Sequence, residues 1–265
     1  KAPRSSYLSS DASKIQVFVL FGLDGVDSSD SVMLVALDRV HQKIKLISLA
    51  RDSYVFIPEF ASFSKLAYSY TWGGAAMAVK NLNYNYYLNV SDYIAADFDQ
   101  LAEIIDRIGG VTVNIDEDEA RYLSNYPNVH VGDCLLDGET AVSYARIRKS
   151  SATDSDRKRT GRQREVILSI LNTLQTMPLS QYPGFVRDCL GMCATSFEAE
   201  TLLTMAAETL GQNYTVEQYF FPEGQVDWWA WLIKEYFYYV YDLRRASDRI
   251  YRIIYEELYI SGYDD

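Results

Sequence analysis

Three short apolar runs near the start of the chain constrain its fold more than any other feature. Residues 15–21 (IQVFVLF), 31–38 (SVMLVALD) and 43–49 (KIKLISL) are rich in aliphatic and β-branched side chains and are separated by turn-forming residues. Each is too short for a helix with a buried face, so all three read as strands. The first is almost continuously apolar, as a central strand covered on both faces should be. KIKLISL alternates with polar residues and is expected nearer an edge. Further on, AAMAVKNLN after Gly73 and Gly74 has helical spacing, and SDYIAADF reads as another strand. DQLAEIIDRI places Leu101, Ile104, Ile105 and Ile108 on one helical face, Gly109 and Gly110 stop it, and VTVNI is again a strand. Strands alternating with amphipathic helices give an α/β (α+β) class, with a central mixed β-sheet flanked by helices on both faces.

The later chain reads as mainly helical. GETAVSYARIR and residues 161–174 are helices joined by the polar loop SSATDSDRK, and FEAETLLTMAAETL is a third. DWWAWLIKEYFYYVYDLRRASDRIYRIIYEEL reads as an amphipathic helix packing aromatics on the core, although Tyr and Trp also suit membrane interfaces and sugar stacking. This gives a C-terminal helical extension, residues 186–265, packed on a domain of residues 15–185, with 1–14 as an N-terminal segment.

Charge is distributed unevenly. The net charge of −11 and pI of about 4.7 argue against a general nucleic-acid binder, which needs excess Lys and Arg. Yet eight of the 25 basic residues (Arg146, Arg148, Lys149, Arg157, Lys158, Arg159, Arg162 and Arg164) fall between 146 and 164, the pattern of a local anion site. Cys134, Cys189 and Cys193 cannot all pair within one chain, and no Cys/His cluster suggests zinc. Free or buried thiols are the simplest reading, with a Cys189–Cys193 bridge as the alternative.

Three constellations carry chemistry. Asp24 and Asp30 flank the loop between the first two strands and offer hard oxygen donors suited to Mg²⁺, although Asp is also an ordinary turn residue. Arg146 and Arg148 in ARIR precede DRKRTGRQRE, where Arg159, Arg162 and Gln163 share one helical stripe behind Asp156. Guanidinium forks match phosphate oxygens, so this set fits a pyrophosphate as well as a solvated basic face. Arg51, in LARDS, sits beyond the carboxyl end of a strand, where α/β sheets place ligand groups or structural ion pairs; Lys65 follows shortly after.

In order, GLDGVDSSDSVMLVALD, SLARDSYVFIP, KLAYSYTWGG, DFDQLAEIIDRIGGVTVNI, LDGETAVSYARIR and DSDRKRTGRQREVI resemble the LytR-CpsA-Psr family over residues 15–176. The resemblance implies a phosphotransferase of the cell envelope, at the extracytoplasmic face of the membrane, anchored by an N-terminal helix that precedes this chain. It would move a teichoic acid or capsular polysaccharide from a polyprenyl diphosphate carrier to peptidoglycan, with residues 15–185 as its catalytic domain and no nucleic acid involved. A noncatalytic binder of polyprenyl phosphate or wall polymer with a regulatory role is the alternative. By the same resemblance Asp24 and Asp30 hold Mg²⁺, and Arg51, Lys65, Arg146, Arg148, Arg159, Arg162 and Gln163 bind the pyrophosphate. Asp156, Arg51 and Arg159 take the catalytic roles. Gly25, Val26 and SSDS stand where the family usually carries an arginine and an RSDT segment, and its PRD motif is here ARD.

Overall fold

A computed structural model describes residues 8–25, 28–147, 155–209, 212 and 214–258, with the side chains of residues 155, 156 and 257 outside that description. In chain order the elements are β1 (Ile15–Leu23), β2 (Ser29–Asp38), β3 (Lys43–Leu49), β4 (Tyr54–Ile57), β5 (Ser62–Lys65), α1 (Tyr68–Tyr86), β6 (Asp92–Asp97), α2 (Phe98–Arg107), β7 (Val111–Ile115), α3 (Glu117–Tyr122), β8 (Gly132–Leu136), α4 (Gly138–Arg146), α5 (Ser155–Thr176), α6 (Tyr182–Met192), β9 (Ala194–Thr195), α7 (Ala199–Thr209), β10 (Thr215–Phe221), β11 (Trp228–Ile233), β12 (Tyr236–Tyr241) and α8 (Leu243–Tyr255). They form two compact units. One takes Lys1–Phe21, Asp27–Tyr93 and Tyr214–Asp265; the other takes Gly22–Val26 and Ile94–Asn213.

In the first unit four strands lie side by side in the order β10–β3–β2–β1. The sheet is mixed, because β10 pairs parallel to β3 whereas β2 pairs antiparallel to it. Nearly every residue of β2 and β3 is buried, so both faces of these strands are covered. Helices α1 and α8 pack against the sheet and against each other. Helix α8 is strongly amphipathic and sends Ala246, Ile250, Ile253 and Ile254 into the core.

KIKLISL lies one strand in from the sheet edge, nearer to it than β1, but is not itself the edge strand. Strand β10 covers its outer side, and Lys45 is fully buried with its ammonium 3.0 Å from Asp38, 2.7 Å from Glu256 and 3.0 Å from the Ile254 carbonyl. A buried ammonium persists only when carboxylates and carbonyls replace its water.

The last segment also departs from expectation. The long aromatic helix is really a hairpin, β11–β12, followed by the shorter α8, and β10 lies in what was expected to be a helical extension. Lys234 and Glu235 both take positive φ (48° and 70°) and form the two-residue turn, a geometry that matches the right-handed twist of paired strands. Twelve aromatic, aliphatic and β-branched residues around a central Lys-Glu pair are a strand signal that overrides helical periodicity. Trp231 opposes Tyr238, and both rings meet Tyr54 at 5.3 Å between centroids.

The second unit has its own core, in which Ile105, Val113, Ile115, Leu136, Tyr144, Val166 and Ile170 meet. Leu101 and Ile108 of the expected α2 stripe pack against it. At the end of α2, Gly109 and Gly110 take φ of +85° and +100°, the left-handed region only glycine enters freely. Helices α2 and α4 approach closely, because a Cβ on Gly138 would lie 2.1 Å from the Ala102 carbonyl oxygen. Gly138→Ala should therefore lower stability by about 2 kcal/mol through overpacking. Urea denaturation would read this as a lower midpoint with an unchanged slope.

Candidate functional site

In the first unit the candidate groups gather on the turn after β3. Ala50 N–H donates to the Phe221 carbonyl (2.9 Å), Ala67 N–H to that of Arg51 (3.0 Å), and Tyr239 N–H to that of Asp52 (3.0 Å). Strands β10 and β12 and the start of α1 thus fix the turn. Below it runs a buried hydroxyl chain, Ser53 to Tyr241 at 2.8 Å and Tyr241 to Tyr86 at 2.5 Å. Burial pushes the Tyr86 phenol up to about 12, keeping it a neutral hydrogen-bonding group.

On this platform Arg51 forms an ion pair with Asp30, at the start of β2, and its Nε lies 3.8 Å from Asp52. Lys65 Nζ lies 2.6 Å from the same Asp52 oxygen and within 5.5 and 5.8 Å of the Tyr238 and Tyr236 ring centres. Asp30 and Lys65 are largely buried, so these charges are partly desolvated and fixed in direction. The expected Asp30, Arg51 and Lys65 are brought together. Asp52, Tyr236 and Tyr238 join them without having been singled out as site residues. The tyrosines were hidden by reading their segment as helix; the two-residue Lys-Glu break between aromatic runs was the signal.

In the second unit, Asp24 is half-buried and directly follows β1. Arg146 closes α4, is exposed, and places its guanidinium 4.6 Å from the Phe98 ring centre. Asp156 lies in the first turn of α5, and Arg148 falls outside the described residues. Arg159 and Arg162 are both about 4% exposed. Gln163 Oε1 is buried with no hydrogen-bond partner among the described residues, an acceptor turned away from water one helical turn after Arg159.

Arg162 is committed elsewhere: its Nε meets Glu119 Oε1 at 2.6 Å and its NH1 donates to the Ile147 carbonyl at 3.1 Å. Its geometry ties α5 to α3 and to the end of α4. Burial, then the nearby charge of Arg157, pulls the Arg164 guanidinium down to about 10. The three cysteines are free, and burial raises the thiols of Cys189 and Cys193 to about 12 and about 11, far from thiolate chemistry.

Braced guanidinium and ammonium groups beside carboxylates can hold a multiply charged anion and orient it. The LytR_cpsA_psr family model matches residues 4–251, nearly the whole chain. The chain belongs to that family. It is 29% identical over 166 residues to the Enterococcus faecalis polyisoprenyl-teichoic acid–peptidoglycan teichoic acid transferase TagU, covering 60% of this chain and 54% of that protein. Across three such transferases it spans 54% to 66% of the relative's length. Its fold matches TagT bound to LIIa-WTA with a TM-score of 0.77 at 19% identity, over 93% of each chain. It also matches YwtF (TagT) with bound octaprenyl pyrophosphate lipid, with a TM-score of 0.71 at 18% identity, over 94% of this chain and 91% of that one.

Proposed function

We propose that this chain is the catalytic part of a cell-envelope phosphotransferase that moves a teichoic acid or capsular type glycopolymer from a polyprenyl diphosphate carrier to peptidoglycan at the extracytoplasmic face of the membrane. The observation that carries the reading is the fixed turn after β3, where Arg51 is braced by Asp30 and Asp52 with Lys65 beside it. The TagU relatives support the transfer chemistry, and the TagT structures support the lipid diphosphate. Among the described residues no helix is long and apolar enough to cross a membrane.

In this reading Arg51, Lys65, Arg146, Arg148, Arg159 and Gln163 are the groups that bind the diphosphate and neutralise charge that develops on it. An acceptor sugar hydroxyl attacks the polymer-side phosphorus, the bond to the bridging oxygen breaks, and polyprenyl phosphate leaves. Asp156 is the candidate to orient Arg159 or take the hydroxyl proton. Arg162 holds α5 in position through Glu119. Asp24 and Asp30 would hold Mg²⁺ as hard oxygen donors, and the Asp30 carboxylate is also the partner of Arg51. Bound there, Mg²⁺ would supply Lewis-acid neutralisation of diphosphate oxygens.

Arg146→Ala tests the reading cleanly because this side chain is exposed and its ring contact is worth only about 1 kcal/mol. Release of polyprenyl phosphate from a lipid diphosphate substrate should fall about 100-fold with melting nearly unchanged. Undiminished release would remove Arg146 from the clamp. Tight binding of the substrate by the unaltered protein without any release would favour the noncatalytic binder.

A further inference from the structure

Away from the residues named for transfer, the loop at residues 224–227, the start of β11 and helix α8 line an open cleft of about 910 Å³. Its wall carries Arg244, Arg245, Arg249 and Arg252, with Asp248 and the ring of Trp228. Including Asp227, four arginines and two aspartates line it, a local charge of +2 on a chain of −11.

Because α8 buries Ala246, Ile250 and Ile253, the arginines emerge on its other side, with 245, 249 and 252 spaced to form one stripe. Arg249 donates Nε to Gln225 Oε1 at 3.1 Å, and Arg252 Nε meets Asp248 at 2.9 Å. Each contact fixes the direction of its guanidinium. Trp228 packs on Tyr239, with 4.7 Å between ring centres, and Tyr239 N–H bonds the Asp52 carbonyl beside Arg51. The cleft and the turn after β3 are therefore linked through a single strand, β12.

We propose that this cleft is a second subsite, binding a phosphodiester further along the polyanion whose diphosphate end Arg51 engages; this rests on the function proposed above. Forked guanidiniums match the two free oxygens of a phosphodiester, and Trp228 offers an apolar face to the sugar or polyol between phosphates. A flat anionic bilayer suits the site less well, since Asp227 and Asp248 line the same recess and would meet its charge directly. A subsite of this kind makes affinity rise with polymer length, because the second contact forms within an already bound chain.

Calorimetry with inorganic pyrophosphate, a soluble glycerol phosphate oligomer and phosphatidylglycerol vesicles tests the idea on the whole chain. The double variant Arg245→Gln, Arg249→Gln changes two exposed side chains, and its melting should match the unaltered protein. It should bind the oligomer about 10-fold more weakly and with a shallower salt dependence, yet keep its pyrophosphate affinity. Arg51→Gln should instead weaken pyrophosphate. Equal oligomer binding by the double variant and the unaltered protein overturns the subsite, as does arginine-dependent vesicle binding without oligomer binding. If Arg51→Gln leaves pyrophosphate untouched while the double variant loses the oligomer, the cleft stands and the transfer reading falls.

Discussion

Replacing Glu119 with Ala should lower the free energy of unfolding by about 4 kcal/mol, the usual range for stranding one partner of a buried ion pair. Arg162 and Glu119 are 4% and 6% exposed and meet at 2.6 Å, so water cannot substitute for the lost carboxylate. The second Glu119 oxygen accepts from Asp116 N–H at 2.9 Å, closing the capping box of α3, so the same substitution also frays that helix. Glu119→Gln keeps hydrogen-bonding capacity but not charge and should fall between Ala and the unaltered protein. Urea titration gives both values, and a loss below 1 kcal/mol for Glu119→Ala would contradict the buried pair. Because the α5 stripe bearing Arg159 and Gln163 hangs on this contact, activity should fall with stability in these variants.

Asp38→Ala should cost about 3 kcal/mol at neutral pH, somewhat less because Lys45 keeps Glu256. The Asp38 carboxylate is fully buried and accepts from Lys45, from the backbone N–H groups of Val40 and His41 at 3.0 Å, and lies 2.7 Å from His41 Nδ1. Burial alone would raise its pKa, but the His41 and Lys45 hydrogen bonds outweigh it and hold the carboxyl below its ordinary value. A depressed folded pKa contributes stability that is complete above the unfolded value of about 4 and disappears as pH falls through the folded one. The stability gap between the unaltered protein and Asp38→Ala should therefore narrow below pH 4. A gap that stays constant down to pH 2 would mean that Asp38 is not the titrating group.

Within the first 147 residues the periodic, punctuated elements were legible, whereas the short β4, β5, α3 and β8 were not singled out. Runs 15–21, 31–38 and 43–49 became β1, β2 and β3; the Leu101–Ile108 stripe became α2, stopped by glycines that only a left-handed backbone explains. Long-range partners were not legible. Nothing local to KIKLISL announces that β10, contributed from near the other end of the chain, will cover it, or that Glu256 will neutralise Lys45. Residues 228–241 misled because aromatics dense on either side of Lys234 and Glu235 satisfy a helical stripe as readily as both faces of a hairpin. At the candidate site, motif spacing pointed to residues but not to their pairings: Arg162 found Glu119, and Arg51 took Asp30, a carboxylate first read as a metal ligand.

The first unit is assembled from both ends of the chain, with the second set into its middle, and this orders events during synthesis. Ile94–Asn213 can collapse on its own core as soon as it leaves the ribosome, while β3 waits for Thr215–Phe221 and Lys45 waits for Glu256. Until then the open side of β3 is an unpaired strand whose Lys45 has only Asp38 to balance its charge, a target for neighbouring chains. A nascent or truncated product ending before residue 214 should thus be far more prone to aggregation than one that reaches α8.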